Sequence, residues 1–181
     1  MADMDEAVLK RVLPHSIEAE QSVIGAMLMD REAITIASEQ INGEDFYGKQ
    51  YGILFDTMVE LNDEGKPVDL ITLQDRLKEK AVPPEIYSLE YIRDIMDTVP
   101  TSANIKYYAN IVAEKSVLRK LIKVNEEIAN NCYSQKETLE VLLEETEKKV
   151  FDIAQKRNNG DFVPIRPVSY THLTLPTNSR V

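Results

Sequence analysis

The sequence predicts an all-α protein: a six-helix globular domain extended by a protruding antiparallel helical hairpin. Apolar residues recur at spacings of three and four along most of the chain, as they do on one face of a helix. No segment shows the sustained alternation of a half-buried strand or the strand–helix rhythm of a parallel sheet. Short connections that contain Pro or Gly join the helical segments, which is typical of a bundle of helices.

The first two helices are predicted from their capping residues. The Ser16 hydroxyl can accept a first-turn N–H, and Glu20 lies near the positive end of the helix dipole. Gly25 lies inside this helix at a cost of about 1 kcal/mol relative to Ala, so close contact with another helix is the expected reason for it. Asp30 can cap a short second helix that ends at Ala37.

An aromatic-rich third helix is predicted to form the centre of the core and to stop at Gly65. Asp69 introduces a fourth helix, which Pro83 and Pro84 end, and Ser88 can cap a short fifth helix. The apolar residues that define the third helix are Phe46, Tyr51, Leu54, Phe55, Met58 and Leu61.

The longest predicted helix covers Asn104 to Asn131, which contains no Gly or Pro, and either Thr101 or Ser102 can cap it. Its apolar stripe changes side halfway along. We therefore expect the first half to close the globular domain and the second half to leave it. The first group is Ile105, Tyr108, Ile111 and Val112, and the second is Val117, Leu121, Val124, Ile128 and Cys132.

The segment that follows is predicted to pair with this second half. Asn130 and Asn131, together with Ser134 and Gln135, supply a turn, after which apolar residues share one narrow helical stripe. The residues of that stripe are Leu139, Leu142, Leu143, Thr146, Val150, Ile153 and Ala154. The two helices are therefore expected to form the hairpin.

The chain divides into five predicted segments. They are a flexible arm (1–13), the globular helical head (14–110), the helical hairpin (111–157), the start of a linker (158–168) and a C-terminal tail (169–181). The tail contains no acidic residue, unlike the rest of the chain, so we interpret it as sequence of non-native origin. A natural flexible tail is the alternative.

The composition excludes several classes of protein. A net charge of −10, from 31 acidic and 21 basic side chains, disfavours a phosphate-binding surface, so little direct DNA binding is expected. No apolar run approaches the roughly 20 residues that cross a bilayer, and the N-terminus lacks the apolar core of a signal peptide. The single cysteine excludes an internal disulfide, and a reducing, cytoplasmic setting is the expectation.

One segment resembles a phosphate-binding loop. The residues from Gly43 to Lys49 match the pattern G-x-x-x-x-G-K, but Gln50 replaces the Ser or Thr that would hold Mg²⁺, and no apolar strand precedes them. A turn that leads into a helix is the favoured interpretation. A small enzyme that binds nucleotide through this segment is the alternative.

Other candidate chemistry is weaker. The only histidines, His15 and His172, are far apart in the sequence, which is too few ligands for zinc. Cys132 ends the apolar stripe of the longest helix and is interpreted as a small buried apolar residue rather than a nucleophile. The sequence therefore predicts no catalytic, cofactor-binding or metal-binding residues.

The hairpin has more apolar side chains than two helices can bury against each other. Leu118 and Ile122 lie at the edge of the first stripe, and Phe151 lies off the second one. An exposed apolar surface usually marks contact with another chain. We therefore predict self-association or partner docking through the hairpin, with Leu118 and Phe151 as candidate self-association residues.

Five sequence blocks resemble the N-terminal domain of the bacterial DnaB-type replicative DNA helicases. The opening block is residues 14–25, PHSIEAEQSVIG, and the others are residues 45–47 (DFY), 67–73 (PVDLITL), 100–105 (PTSANI) and 108–112 (YANIV). They occur in the family's order, and the resemblance covers residues 14 to about 168.

The resemblance implies a collar domain that forms dimers within a hexameric ring and receives a DnaG-type primase, with a helicase loader as a further candidate partner. It implies that the family's ATP-dependent motor, which uses ATP and Mg²⁺, is absent from this chain. Tyr91, Ile122 and Ile128 are nominated as primase contacts, with core packing as the alternative role. A free-standing helical adaptor is the alternative function.

Overall fold

The computed structural model describes residues 12–158, and every regular element in that span is helical. The all-α prediction is therefore confirmed. The elements are α1 (Ile17–Met29), α2 (Arg31–Ser38), a 3-10 turn (Gly43–Asp45), α3 (Lys49–Asp63), α4 (Leu70–Glu79), α5 (Leu89–Asp97), α6 (Ile105–Ser134) and α7 (Leu139–Asn158). None of the helices in this part of the chain is both long enough and apolar enough to span a bilayer.

The predicted N-caps of three helices are confirmed. The Ser16 hydroxyl accepts the Ala19 N–H at 3.3 Å, and the Asp30 carboxylate accepts the first-turn N–H of α2 at 2.9 Å. The Ser88 hydroxyl accepts the Tyr91 N–H at 3.1 Å. Each bond satisfies an N–H that has no partner inside its own helix, and its loss typically costs about 1 kcal/mol.

Gly65 ends α3 as predicted. Its φ is +71°, in the left-handed region that favours glycine. This conformation lets the Lys66 N–H bond to the Leu61 carbonyl at 2.9 Å and the Gly65 N–H bond to the Asn62 carbonyl at 3.0 Å. The last carbonyls of α3 are satisfied by this pair of bonds, which is the Schellman arrangement.

Gly25 marks a close crossing of α1 and α5, as its position inside α1 predicts. A β-carbon at Gly25 would lie 2.5 Å from Val99 Cγ2 and 3.0 Å from the Ile95 carbonyl oxygen. The space for a methyl group is already filled. Glycine inside a helix lowers the stability of that helix, but at this position it allows two helices to approach closely.

The core of the head is formed by the buried faces of α1 to α5 and the first half of α6. Phe46 lies just before α3 rather than inside it, and its ring packs at 5.2 Å from the ring of Phe55. The largest fully buried apolar side chains are Ile24, Met27, Ile34, Leu54, Phe55, Met58, Leu61, Leu73, Leu77, Ile92 and Ile95.

The long helix α6 begins differently from the prediction. Its N-cap is Asn104, whose side chain makes no capping bond, so the predicted caps Thr101 and Ser102 are wrong. The Thr101 hydroxyl accepts the Ala103 N–H at 3.1 Å within the preceding turn. The Ser102 hydroxyl is close to the Asp30 carboxylate, at 3.3 Å. Both hydroxyls thus already have partners outside α6.

The end of α6 also lies beyond the predicted turn. Asn130 and Asn131 are helical, α6 continues to Ser134, and the chain reverses from Gln135, which has a φ of +47°. Asn131 lines the groove between α6 and α7. Packing against α7 therefore outweighs the weak helix propensity of asparagine.

The helices α6 and α7 pack as an antiparallel hairpin, with the Lys149 ammonium 3.4 Å from the Glu127 carboxylate. The buried residues of α6 end at Ser116. Cys132 is exposed, so the prediction that it is buried is wrong. It follows Asn131, the last residue of α6 to line the groove, and is turned by about 100° from it.

The segment boundaries stay predictions. α6 passes through the predicted boundary at residues 110 and 111 without a break. The predicted arm, linker and tail, and His172 with them, lie almost wholly outside the described residues.

Candidate interaction surface of the helical hairpin

The base of the hairpin is fixed to the head by a carboxylate on the 3-10 turn. Asp45 accepts bonds from the Ser116 hydroxyl and the Lys120 ammonium, both at 2.6 Å, and from the Asn42 N–H at 3.1 Å. Burial raises the pKa of Asp45, but the bonds from Lys120, Ser116 and the Asn42 N–H lower it by more, so the pKa lies below its ordinary value. The carboxylate therefore stays ionised and holds α6 in place.

Arg119 connects the same region to the start of α1. Its guanidinium donates to the Pro14 carbonyl at 2.7 Å and to the Asp45 carbonyl at 2.5 Å. It also lies 5.9 Å from the centre of the Tyr47 ring, which stacks on His15 at 4.2 Å. Two other segments of the chain, residues 14–15 and 45–47, thus meet at one side chain of α6.

Glu20 has a role that its sequence position does not predict. It is 1% exposed, and its carboxylate accepts the N–H groups of Tyr47 and Gly48 at 2.8 and 3.0 Å. Gly48 is the N-cap of α3 and has no side chain that could cap the helix. A carboxylate from α1 therefore stabilises the N-terminus of α3.

The loop from Gly43 to Lys49 has its backbone donors occupied. Asp56 accepts the Gly43 N–H at 2.9 Å, Asn42 accepts the Glu44 N–H at 3.0 Å, and Glu20 accepts two more. A phosphate would have to displace two carboxylates that carry the same sign of charge. The contacts favour the structural turn over a nucleotide site. Among residues 12–158, no three His, Cys, Asp or Glu side chains converge as metal ligands.

The apolar stripe of α7 is wider than α6 covers. Leu142, Thr146 and Ile153 are partly buried on the side that meets α6. Leu143 is 60% exposed. The other large exposed apolar residues of α7 are Leu139, Val141, Val150 and Phe151. Four of the seven residues of the predicted single stripe are therefore exposed: Leu139, Leu143, Val150 and Ala154.

A second apolar stripe runs along α6. Leu118 is 44% exposed and Ile122 is partly buried. The stripe follows an eleven-residue spacing, which is about three helical turns, so it stays on one side of the axis. Its members are Tyr107, Leu118 and Ala129, and then Ile111, Ile122 and Tyr133.

The two stripes lie on the same side of the hairpin. On each helix the exposed stripe is rotated by about 100° from the groove-lining residues, in the sense in which the helix winds. Because the two helices run antiparallel, equal rotations in this sense bring both exposed stripes to the same side of the hairpin. We call the resulting surface the apolar face: Leu118, Ile122, Leu139, Leu143 and Val150.

The two predicted self-association residues are both exposed, but they are not equivalent. Leu118 belongs to the apolar face. Phe151, 60% exposed, is rotated by about 100° from Val150 toward the outer edge of α7. Their role in self-association remains a prediction.

The three nominated primase contacts lie in separate environments. Tyr91 is on α5 and packs against the core of the head, where burial and the neighbouring Tyr51 raise the pKa of its hydroxyl. Ile128 lines the groove between α6 and α7. Ile122 lies on the apolar face. Their role in primase binding remains a prediction.

Sequence reasoning missed Asp45 and Arg119, which fix the base of the hairpin, and Glu20, which stabilises the N-terminus of α3. Their partners lie between 27 and 105 residues away in the chain. A one-dimensional pattern contains no signal for such a pairing. A buried carboxylate needs a hydrogen-bonding partner, but the sequence does not show that the carboxylates in these charged segments are buried.

Comparison with known proteins identifies a family model and curated relatives that match this chain. Residues 12–114 match the model of the DnaB-like helicase N-terminal domain. The chain is 40% identical over 165 residues to the replicative DNA helicase DnaB of Geobacillus stearothermophilus, covering 91% of this chain and 36% of that protein. The chain thus spans about a third of the length of that curated relative.

Solved structures share the fold. The N-terminal domain of DnaB helicase from Mycobacterium tuberculosis superposes with a TM-score of 0.73 and 32% identity, covering 78% of this chain and all of that one. A DnaB-like replicative helicase that was described together with its interactions with primase gives a TM-score of 0.62 and 23% identity, covering 76% of this chain and 31% of that one.

Proposed function

This chain belongs to the DnaB-like helicase N-terminal domain family, and we propose that it is the non-catalytic collar of a replicative DNA helicase. In this role the hairpin binds a second copy of the chain, and the head with the base of the hairpin receives a DnaG-type primase. A helicase loader is a further proposed partner. ATP and Mg²⁺ would bind a motor domain outside these 181 residues.

The observation that carries the proposal is the apolar face. Five aliphatic side chains from two helices lie on one side of a hairpin that has no other helix packed against that side within the described residues. Such a patch on an acidic, otherwise polar module is typical of a contact between chains. A second copy supplies the same surface, which suits a two-fold interface.

Primase docking rests on a different kind of support. A helicase of the same fold has been described with its interactions with primase. All three nominated contacts are partly buried. Ile128 faces α7, Tyr91 packs on the core, and Ile122 lies on the apolar face, where primase would compete with a second copy. The net charge of −10 favours a protein partner over direct contact with DNA.

Sedimentation of matched variants tests self-association. Leu143→Asp places a charge on the apolar face and is expected to shift the chain toward monomer, because an unpaired charge at an interface is costly. Val141→Asp is the control, since Val141 is 41% exposed on the same helix but points to the opposite side. Leu118→Asp should behave like Leu143→Asp.

Three outcomes decide the proposal. Monomer in the Leu143→Asp variant and dimer in the Val141→Asp variant support it. Dissociation by both variants would indicate unfolding or a different surface. A parent chain that is monomeric at all concentrations, or an unchanged Leu143→Asp dimer, would contradict it.

A further inference from the structure

The described part of α7 is shorter than α6 and lies beside only the second half of it. Lys149 of α7 is across the groove from Glu127 of α6, at 3.4 Å. Asn158 follows Lys149 by nine residues, so in an antiparallel pair it lies level with about residue 118 of α6. The stretch 105–117 of α6 therefore has no part of α7 beside it within the described residues.

The side of α6 that continues the line of α7 is open to solvent. Asn110 lies about five helical turns before Ile128, so the two residues point in the same direction, and Ile128 lines the groove. Asn110 is exposed, and so are Lys106, Tyr107 and Glu114 around it. The first half of α6 is thus covered by the head on one side and uncovered on the side where α7 would continue.

An apolar platform lies on this uncovered side. Tyr107 is 67% exposed, and its ring meets the ring of Tyr108 edge-on, with 6.2 Å between the ring centres. Tyr108 packs against the core of the head and so supports the exposed ring. Ile111 is one helical turn from Tyr107 and is partly buried. We call these three residues the α6 platform.

The chain that follows α7 has the composition of a ligand for an aromatic surface. Residues 162–168, FVPIRPV, lie outside the described residues. Pro164 and Pro167 have the spacing of the proline-rich motifs that bind surfaces lined with aromatic rings. Phe162 and Ile165 add two large apolar side chains to the same segment.

This segment is long enough to reach the α6 platform. Ile111 and Tyr107 lie about 10 and 16 Å along α6 from the level of Asn158, at about 1.5 Å per residue. The sideways step from one packed helix to the other is about 8–10 Å. Phe162 and Ile165 follow Asn158 by four and seven residues, which span at most about 14 and 25 Å. Phe162 can therefore reach Ile111, and Ile165 can reach Tyr107.

We propose that residues 162–168 dock on the α6 platform of their own chain, with Phe162 against Ile111 and the motif from Pro164 to Pro167 against the Tyr107 ring. The chain then leaves the module beside the head rather than at the base of the hairpin. The α6 platform shares no residue with the apolar face, so this docking does not depend on self-association.

Paramagnetic broadening in the full chain measures the position of the segment. The exposed Cys132 is replaced by Ser, and Arg166→Cys carries a nitroxide label between the two prolines. Docking is expected to remove most of the intensity of the amide signals of residues 105–111. The amide signals of the hairpin tip, residues 131–136, should keep their intensity because the tip lies about 30 Å or more from the platform along α6.

Two tyrosine variants with the same change in charge separate docking from non-specific contact. Tyr107→Asp places a carboxylate on the α6 platform and should restore the lost signals, because an unpaired charge under an apolar segment is costly. Tyr133→Asp is the matched control, since Tyr133 is 86% exposed near the other end of α6. Circular dichroism establishes that both variants keep the helical fold.

A mixed sample identifies the chain that supplies the segment. In it, isotope-labelled chain without the nitroxide is combined with spin-labelled chain that carries no isotope. Broadening within one chain that Tyr107→Asp abolishes and Tyr133→Asp retains supports the proposal. Equal broadening in the mixed sample would assign the segment to a second copy and overturn docking within the chain. Full intensity at residues 105–111, or broadening that persists in Tyr107→Asp, would overturn it as well.

Discussion

At the scale of single residues, Asp45 is the clearest case of a charge that stabilises the arrangement of two parts. Asp45 is mostly buried, and its carboxylate accepts hydrogen bonds from three donors: the Asn42 N–H, the Ser116 hydroxyl and the Lys120 ammonium. An ionised carboxylate in such a place is tolerated because each oxygen has a partner. Loss of the carboxylate would leave the buried Ser116 hydroxyl without an acceptor.

Asp45 should make the stability of the chain depend on acid pH. Its pKa is lower in the folded state than the unfolded value of 3.8, so its stabilisation is complete above that value and is lost as the pH falls through the folded pKa. We expect Asp45→Asn to lower the free energy of unfolding by about 1–3 kcal/mol at neutral pH. The difference from the parent should shrink toward pH 2.

Urea unfolding of both proteins at a series of pH values measures this difference. Asp94→Asn is the control, because Asp94 is exposed on α5 and makes no side-chain bond among the described contacts. A difference that stays constant from neutral to acid pH would show that the charge on Asp45 contributes nothing.

Residues that act locally could be predicted, and those that act at a distance could not. Ser16, Asp30 and Ser88 cap the helix that follows each of them, within three residues along the chain. Gly25 was informative because a glycine inside a helix needs an explanation. Glu20 looked like any acidic residue in a first turn, and only folding brings it to the start of α3.

At the scale of elements, the helices and several of their ends were predictable, whereas the two ends of α6 were not. The periodicity of apolar residues specifies where a helix buries its surface, so α1 to α7 were all anticipated. The ends of α6 were wrong because tertiary contacts decide them. Thr101 and Ser102 bond elsewhere, and Asn131 is held in the helix by the groove that it lines.

The hairpin offers a comparison between adjacent leucines. Leu142 faces α6, whereas Leu143 is exposed on the apolar face. We expect Leu142→Ala to destabilise the hairpin by about 2 kcal/mol, at the low end for a core leucine because it is only partly buried. Leu143→Ala should change the stability of the isolated chain by less than about 0.5 kcal/mol.

Hydrogen exchange of the α7 amides measures local opening of the hairpin directly. Faster exchange should appear with Leu142→Ala alone when the protein is dilute. At concentrations where the parent dimerises, Leu143→Ala should instead weaken the dimer. Equal effects of both variants on exchange in dilute protein would contradict the assigned orientation of α7.

At the scale of the whole molecule, the head and hairpin are connected by one continuous helix of 30 residues, about 45 Å long. The contacts of Asp45 and Arg119 fix that helix to the head near its middle. Displacement of the hairpin by a partner would therefore be transmitted to the head rather than absorbed at a flexible joint. The proposed collar function depends on such a connection between a self-association surface and a docking surface.

Primase docking can be tested on the same molecule by separating affinity from stability. Ile122→Ala removes a side chain from the apolar face and should weaken binding of a primase C-terminal domain by more than about 1 kcal/mol, with little change in melting temperature. Ile128→Ala and Tyr91→Ala should lower the melting temperature, because these side chains pack in the hairpin groove and on the core. Ile71→Ala, at an exposed residue of α4, is the control.

Titration calorimetry with the primase domain and thermal melting of each variant supply the two measurements. Weaker binding with an unchanged melting temperature at Ile122 supports a direct contact. Lost affinity at Tyr91 or Ile128 together with lost stability is explained by unfolding of the surface on which they lie. Parent-like affinity in all three variants would contradict the nominated surface, and reduced affinity in Ile71→Ala would place the docking site at α4 instead.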